Sequence, residues 1–415
     1  MKIAFLNQPW SRVEAPMRKA DSVAIWTYEV ARRLAGDHEV VVYGRRFPGQ
    51  ASSEVHEGVR YERVSVSKSL TSLQNLAGRL LKVSPVGGPA SALYEFGYAA
   101  ETARRLRYVR HDVVHVHNLS HFVPLLRVIN PGVPVVLHMH CEWMSQINKR
   151  TAAERMESAA RILGCSKHVA KRLEVRFPQF TERFGVLHNG VDLDSFGEQR
   201  VSTDPPPDGG VVIFVGRITP EKGVHDLLQA FELVLRKRPG AELRLIGPHE
   251  PTPVEYIVKL SREPYVKNLA RFYPGNYLEQ LKALVPREVI EHVRFVGEVD
   301  RTRLAEEYKN AHALANPSLS ESFGMSLVEA MAACLPVVAT RVGGMQNVIQ
   351  EGKTGLLVPP ADPASLGEAL LTLLGDRDLR RRLVERGRQS VERRFSWETV
   401  ATDAGLHYAQ LEEAH

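Results

Sequence analysis

Residues 316 to 331, Asn-Pro-Ser-Leu-Ser-Glu-Ser-Phe-Gly-Met-Ser-Leu-Val-Glu-Ala-Met, set one carboxylate, Glu321, ahead of a predicted helix and a second, Glu329, inside it. Between the acids, the backbone amides of Phe323, Gly324, Met325 and Ser326 fall in a first helical turn, where no carbonyl precedes them to accept their hydrogen bonds. Free amides and the helix dipole both favour an anion at such a start. Glycine at 324 lets a ligand approach the backbone closely. Two acids flanking a phosphate cradle suit a ligand that carries both phosphate and hydroxyls, which describes a sugar nucleotide.

Those residues need a scaffold that holds loops in fixed register. With 415 residues the chain is too long for one core, and two domains are expected. Strands are read at Lys2–Leu6, Glu39–Tyr43, Asp112–His117 and Pro134–His138, with helices at Val23–Leu34 and Ala99–Arg110. The proline-rich run Ser202–Gly210 reads as a linker. After it come strands at Val211–Val215, Glu242–Ile246, Val293–Val296, Ala313–Ala315, Val337–Ala339 and Gly355–Val358, and a helix at Val224–Lys237. The strands are near-continuous apolar runs alternating with amphipathic helices, the pattern of parallel sheets covered on both faces. The expected architecture is α/β: two doubly wound, Rossmann-like domains facing across a cleft, over residues 1–203 and 204–395. Chemistry then belongs in the loops that follow strands. Residues 248–290 read as a partly helical insertion, and Leu70–Leu81 as an amphipathic surface helix.

Bulk properties narrow the partners. Residues 1–200 hold 28 Lys and Arg against 19 Asp and Glu, a net +9, while the remainder of this +6 chain carries −3. An anionic acceptor or peripheral contact with an anionic membrane would suit the basic half. No helix-turn-helix, zinc module or basic-aromatic motif points to nucleic acid. Neither an apolar run long enough to span a bilayer nor a signal peptide is present. Cys141, Cys165 and Cys334 are too few and too scattered for a disulfide framework or a Cys-type metal site, which points to the reducing cytoplasm.

Several ordered motifs carry a resemblance over essentially the whole chain. Glu321 and Glu329 form a Glu-x7-Glu pair, followed by Glu-Ala-Met and by Pro336–Thr340. Val-Gly-Arg-Ile-Thr-Pro-Glu-Lys-Gly spans 215–223, His-Asn-Gly-Val-Asp spans 188–192, and Gly343-Gly344, Gly352–Pro359 and Phe395–Glu398 follow in order. In these the chain resembles the retaining family 4 glycosyltransferases of the GT-B fold. The resemblance implies that the final helix, 396–415, crosses back onto the first domain. It implies that Arg217 and Lys222, with Gly216 beside them, neutralise the diphosphate of a nucleotide sugar. A guanidinium and an ammonium placed after a strand can do this as charge develops on the leaving group. Glu329 should hold the ribose hydroxyls and Glu321 the hydroxyls of the transferred sugar. Ser322, Phe323, Gly324, Met325, Ser326 and Leu327 should line sugar and diphosphate, and Val299 should touch the base. In the first domain the family's histidine fits His140 better than His138. His117, Asn118, Asp21 and Ser22 are weaker acceptor-side positions.

The chain departs from the family in three places. Arg18–Ser22 stands where a Gly-Gly loop is usual, so Asp21 or Ser22 could instead cap the following helix. Cys334 occupies a customary glycine, and Asn347 a customary glutamate. Asp192-Leu193-Asp194 mimics a metal-binding motif of another fold, and no metal or cofactor is expected. The activity implied is metal-independent hexosyl transfer, with retention, from a nucleoside-diphosphate sugar to a hydroxyl of a small molecule, lipid or glycan. UDP is favoured because it is commoner in the family. The alternatives are a sugar-nucleotide epimerase of the same fold and a sugar-nucleotide-binding protein without turnover.

Overall fold

The computed structural model describes residues 1–17, 21–65, 89–196, 204–249 and 253–412, with side chains in the helix Pro89–Tyr108 described from residue 97. The Leu70–Leu81 stretch, residues 18–20 and the start of the predicted linker lie outside them. Two compact units emerge: residues 1–165 with 169–188 and 397–415, and residues 166–168 with 189–396. The final helix, Trp397–Glu412, therefore belongs to the first unit, as the sequence led us to expect.

The first unit is built on β1 (Lys2–Leu6), β2 (Glu39–Arg45), β3 (Ser53–His56), β4 (Val59–Val64), β5 (Val113–His117), β6 (Val135–Met139), β7 (Arg161–Gly164) and β8 (Phe184–Val186). Their order is β3-β4-β2-β1-β5-β6-β7-β8, parallel throughout except for the β3–β4 pair. Chain order reverses at β1, which pairs with β2 on one side and β5 on the other. The helix Ser22–Leu34 starts where the Asp21 carboxylate accepts from the amides of Val23 (3.0 Å) and Ala24 (3.1 Å). Trp26, Val30, Ala31 and Leu34 give that helix one apolar face, which packs on Phe5, Val40, Trp397 and Tyr408 in a single core.

The second unit carries β9 (Gly209–Val215), β10 (Gly240–Ile246), β11 (Val293–Gly297), β12 (Ala313–Asn316), β13 (Val337–Thr340) and β14 (Leu356–Val358), all parallel, in the order β11-β10-β9-β12-β13-β14. Gly209 and Gly210, read from sequence as the end of a linker, instead open β9 and pair with Gly240 and Ala241. The helix Val224–Lys237 buries Val224, Leu227, Leu228, Phe231 and Val234, the i, i+3, i+4, i+7 stripe of a sheet-covering helix. Fully burying a side chain such as Phe231 stabilises the unit by about 1.5–3 kcal/mol. The insertion after β10 is a set of short helices, of which Tyr277–Leu284 buries Tyr277 and Leu281 in the same core.

Candidate active site

In the second unit the strand order reverses between β9 and β12, and the loops beyond those two strands carry the predicted charges. This is the switch point at which an open α/β sheet leaves a crevice. Gly216 and Arg217 follow β9. The Arg217 guanidinium is about half exposed and lies 3.4 Å from the carboxylate of Glu221, which is buried. Lys222 ends the same turn, and its Nζ donates to Glu321 Oε2 at 2.6 Å. The turn is locked by Gly223: at φ +68 any Cβ there would stand 2.1 Å from the carbonyl oxygen of Pro317. Close approach of these two loops is what brings Lys222 to Glu321, 99 residues away in sequence.

Glu321 follows β12, and its Oε1 also accepts from the amides of Ser322 (3.1 Å) and Phe323 (3.4 Å). Burial pushes its carboxyl up, but the Lys222 charge and hydrogen bond, with the two amides, outweigh this and hold it below the ordinary carboxylate range. Gly324, at φ +101, caps the helix Met325–Ala332. The Leu327 amide donates to Gly324 O. The amides of Gly324, Met325 and Ser326 are left at a helix start, pointing ahead of the first turn. Phe323 is buried edge-on against Phe395, with ring centroids 5.5 Å apart, and anchors the loop from below. Gly343 and Gly344 press on the same loop, since a Cβ on either would stand 1.9 or 2.0 Å from the carbonyl oxygen of Glu321 or Ser322.

Glu329 lies one turn into that helix, and its Oε2 accepts from the Tyr308 hydroxyl at 2.8 Å. Burial raises its carboxyl to about 7, against the pull of the Tyr308 hydrogen bond and the Arg301 charge. Ser326 is fixed through its hydroxyl, which accepts from Asn316 Nδ2 at 3.1 Å. Val299 sits in the loop after β11, half-buried, just ahead of the helix Arg301–Lys309. Asp192 pairs with Arg301 at 2.9 Å and caps Asp194 and Ser195 through backbone amides, so the Asp-x-Asp segment is a local turn. Asn347 accepts from the His168 amide at 2.8 Å through its side-chain oxygen. A glutamate there would also accept this bond, so the departure from the family keeps the contact and drops the charge.

In the first unit, Asn118 follows β5 in the left-handed region, φ +57, which asparagine tolerates. Its Oδ1 accepts from the His140 amide at 2.7 Å, tying together the ends of β5 and β6. His140 is partly accessible; His117, whose Nδ1 lies 3.0 Å from His140 Nε2, is fully buried. His138 is also fully buried and contacts the Leu187 carbonyl at 2.9 Å. Of the two residues read as weak acceptor-side positions or helix caps, Asp21 is the helix cap and Ser22 is exposed at the first helical position. Sequence reading missed Tyr308, Asn316, Glu221 and His115. Tyr308 carries no motif and Asn316 opens the 316–331 run without a role of its own, whereas His115 was signalled by His-x-His on β5 beside His-x-His on β6.

The family model described as Glycosyltransferase Family 4 matches residues 23–195, and that described as Glycosyl transferases group 1 matches residues 195–390. D-inositol 3-phosphate glycosyltransferase 2 of Catenulispora acidiphila is 30% identical, over 99% of this chain and 96% of its own length. Among solved structures, sucrose-phosphate synthase from Thermosynechococcus elongatus superposes with a TM-score of 0.70 at 22% identity, covering 100% of both chains. Anabaena HepE in complex with UDP and glucose does so at 0.66 and 18% identity, covering 99% of this chain and 100% of that one. The two parallel-sheet units, the motifs at the β9–β12 switch point and a full-length relative at this identity together make the chain a member of the family 4 glycosyltransferases of the GT-B fold.

Proposed function

We propose that the protein transfers a hexosyl group from a nucleoside-diphosphate sugar to a hydroxyl acceptor with retention of anomeric configuration, and that it does so without a catalytic metal. The observation that carries the reading is the cluster at the β9–β12 switch point: Arg217, the Lys222–Glu321 pair and the helix start at Gly324. The diphosphate would lie over the Arg217 guanidinium and the amides of Gly324, Met325 and Ser326, so that fixed positive charge and dipoles receive the leaving group in the place of a metal ion. Glu329 would hold the ribose hydroxyls, Glu321 the hydroxyls of the sugar, and Val299 the base. UDP is the favoured nucleotide, supported by HepE, a fold neighbour solved with UDP and glucose.

The bond from the anomeric carbon to the diphosphate oxygen breaks, and its electron pair leaves on the diphosphate. The acceptor oxygen bonds to the anomeric carbon on the same face and gives its proton to the departing phosphate oxygen. His140, held at the backbone by Asn118, would orient sugar or acceptor. An anionic, phosphorylated acceptor is favoured by the net +9 of residues 1–200 and by the relative named for D-inositol 3-phosphate. The cytoplasm is the favoured compartment, in keeping with only three cysteines, widely separated in sequence. Among the described residues no helix is long and apolar enough to cross a membrane.

The test is product analysis in magnesium-free buffer with a panel of UDP-, GDP- and ADP-sugars and phosphorylated polyols. Acceptor-dependent release of nucleoside diphosphate, with the donor's anomeric configuration kept in the product, is expected. Conversion of the donor alone would make the protein an epimerase, and binding without product would make it a sugar-nucleotide-binding protein.

A further inference from the structure

The first unit contains a group of buried histidines to which the proposed transfer assigns no step. His115, His117 and His138 are fully buried on one face of β5 and β6, and each offers one ring nitrogen, these three atoms lying within 4.8 Å of one another. Imidazole is rarely gathered this way in an apolar core, where each ring must still satisfy one donor and one acceptor.

Their hydrogen bonds fix which nitrogen is which. His138 Nε2 faces the Leu187 carbonyl at 2.9 Å, so it carries the proton and donates; its Nδ1 is a bare lone pair with no partner. His115 Nδ1 meets the Tyr408 hydroxyl at 2.7 Å, and its Nε2 has no partner. His117 Nε2 lies 3.1 Å from the Thr27 hydroxyl, whose only proton is taken by the Val23 carbonyl at 2.9 Å or by Asn7 Oδ1 at 3.0 Å. With that proton on either oxygen, His117 Nε2 donates to the hydroxyl and its Nδ1 keeps the lone pair that meets His140 Nε2 at 3.0 Å. Taking Tyr408 as the acceptor from His115, each ring gives one N–H to an oxygen and keeps one lone pair: those of His115 Nε2 and His138 Nδ1 have no partner, and that of His117 meets His140. Metal-binding histidines are held in this way: the second nitrogen is engaged by a carbonyl or other oxygen that sets tautomer and ring orientation.

We propose that His115 Nε2, His117 Nδ1 and His138 Nδ1 form a buried site for one divalent transition metal of the imidazole-preferring class, zinc foremost. Three atoms no more than 4.8 Å apart have a point within about 2.8 Å of each, so small ring rotations reach the ~2.0–2.1 Å of a zinc–imidazole bond. A set of neutral nitrogens excludes calcium and magnesium, which require oxygen, and suits zinc, copper or nickel. His140 Nε2, 3.0 Å from His117 Nδ1, is the nearest group to the fourth position. Filling the site takes the His117 lone pair away from His140, so occupancy and the setting of His140 are coupled. The metal is structural: it joins β5, β6 and, through Tyr408, the final helix, and it is distinct from the diphosphate site of the second unit.

The experiment uses the full-length, tag-free chain, expressed with added zinc and separately loaded with Co2+. One metal per chain is expected, with visible absorption of imidazole-bound Co2+ that zinc displaces and a nitrogen-only shell at ~2.0–2.1 Å in zinc X-ray absorption. His115→Gln should abolish the absorption. Tyr408→Phe, which removes only the oxygen that holds His115, should weaken Co2+ binding roughly 10–100-fold. Absence of metal in the wild type under both loadings would overturn the proposal, as would an oxygen- or sulfur-dominated shell. So would Co2+ affinity unchanged in Tyr408→Phe, a readout that stands even if His115→Gln does not fold.

Discussion

Replacing Lys222 by Met removes the ammonium while nearly keeping the side chain's length. The pair it breaks spans 2.6 Å, with only 18% and 16% of the two side chains exposed. Breaking a fully buried pair costs about 3–5 kcal/mol because the remaining charge is stranded. Two features reduce that figure here: residual solvent access, and the amides of Ser322 and Phe323 that still bind the Glu321 carboxylate. The expected loss is about 2–3 kcal/mol at pH 7. Without Lys222, burial dominates and the Glu321 carboxyl rises toward and above its ordinary range. The defect should therefore shrink as pH falls and that carboxyl takes up a proton. Lys222→Met with Glu321→Gln should recover most of the loss, a coupling of about 2 kcal/mol. Tryptophan fluorescence is the wrong probe, since Trp10, Trp26, Trp143 and Trp397 all lie in the first unit. Native-state hydrogen exchange at the amides of β9, one of the two central strands of the second unit, reads the opening free energy directly. A loss below about 0.5 kcal/mol, the usual size of a surface substitution, would refute the reasoning. So would a double variant as unstable as the sum of the singles.

Three other perturbations follow from the same loops. Gly343→Ala forces a Cβ to within 1.9 Å of the Glu321 carbonyl oxygen, so the 321–323 loop must shift. Donor binding should fall by at least tenfold in calorimetry while secondary structure by circular dichroism is kept. Glu329 is raised to about 7 in the folded protein from an ordinary value of 4.5, so between those pH values the folded state holds a proton that the unfolded chain has lost. Stability should fall as pH rises through that window and level off above it. Glu329→Gln should flatten the slope and be more stable than wild type above pH 7 by at most roughly 3 kcal/mol, read by urea denaturation followed by circular dichroism. Arg217→Ala should lower kcat/KM by about 10²–10³-fold, the usual effect of losing one donor to a developing oxyanion, with little change in Tm of the free protein.

Much of the site was legible in sequence because its residues sit in short contiguous motifs directly after strands. Glu321, Glu329, Arg217 and Lys222 could each be placed on a loop or helix start by apolar runs that end just before them. What could not be read was pairing across the chain. That Lys222 neutralises Glu321 rather than standing free, or that Tyr308 closes on Glu329, depends on strand order, which periodicity does not encode. The strands β3, β7 and β8 escaped notice because Ser53, Glu54 and His56 in β3, Arg161 and Gly164 in β7 and Gly185 in β8 break their apolar runs. β4 escaped because Arg60 and Glu62 alternate with its buried residues and read as a polar loop. The Gly209-Gly210 pair was misassigned to a linker because glycine usually punctuates strands. Here Gly210 takes φ +133, with Leu374 Cδ2 only 2.8 Å from where a Cβ would be, so packing demands glycine inside the strand. The histidine cluster was half visible: both His-x-His pairs were present, but only the β5–β6 register, His117 opposite His138, puts them on one face.

The central claim is that the β9–β12 loops bind a nucleoside-diphosphate sugar through Arg217. Thermal denaturation of wild type and Arg217→Ala, with UDP-, GDP- and ADP-sugars in magnesium-free buffer, tests it most directly. At 100 times its dissociation constant a donor adds about 2.7 kcal/mol to the stability of the state that binds it. An upward shift is expected with one donor class, UDP-sugars first, that disappears in Arg217→Ala. An equal shift in the variant, or none with any donor, would contradict it.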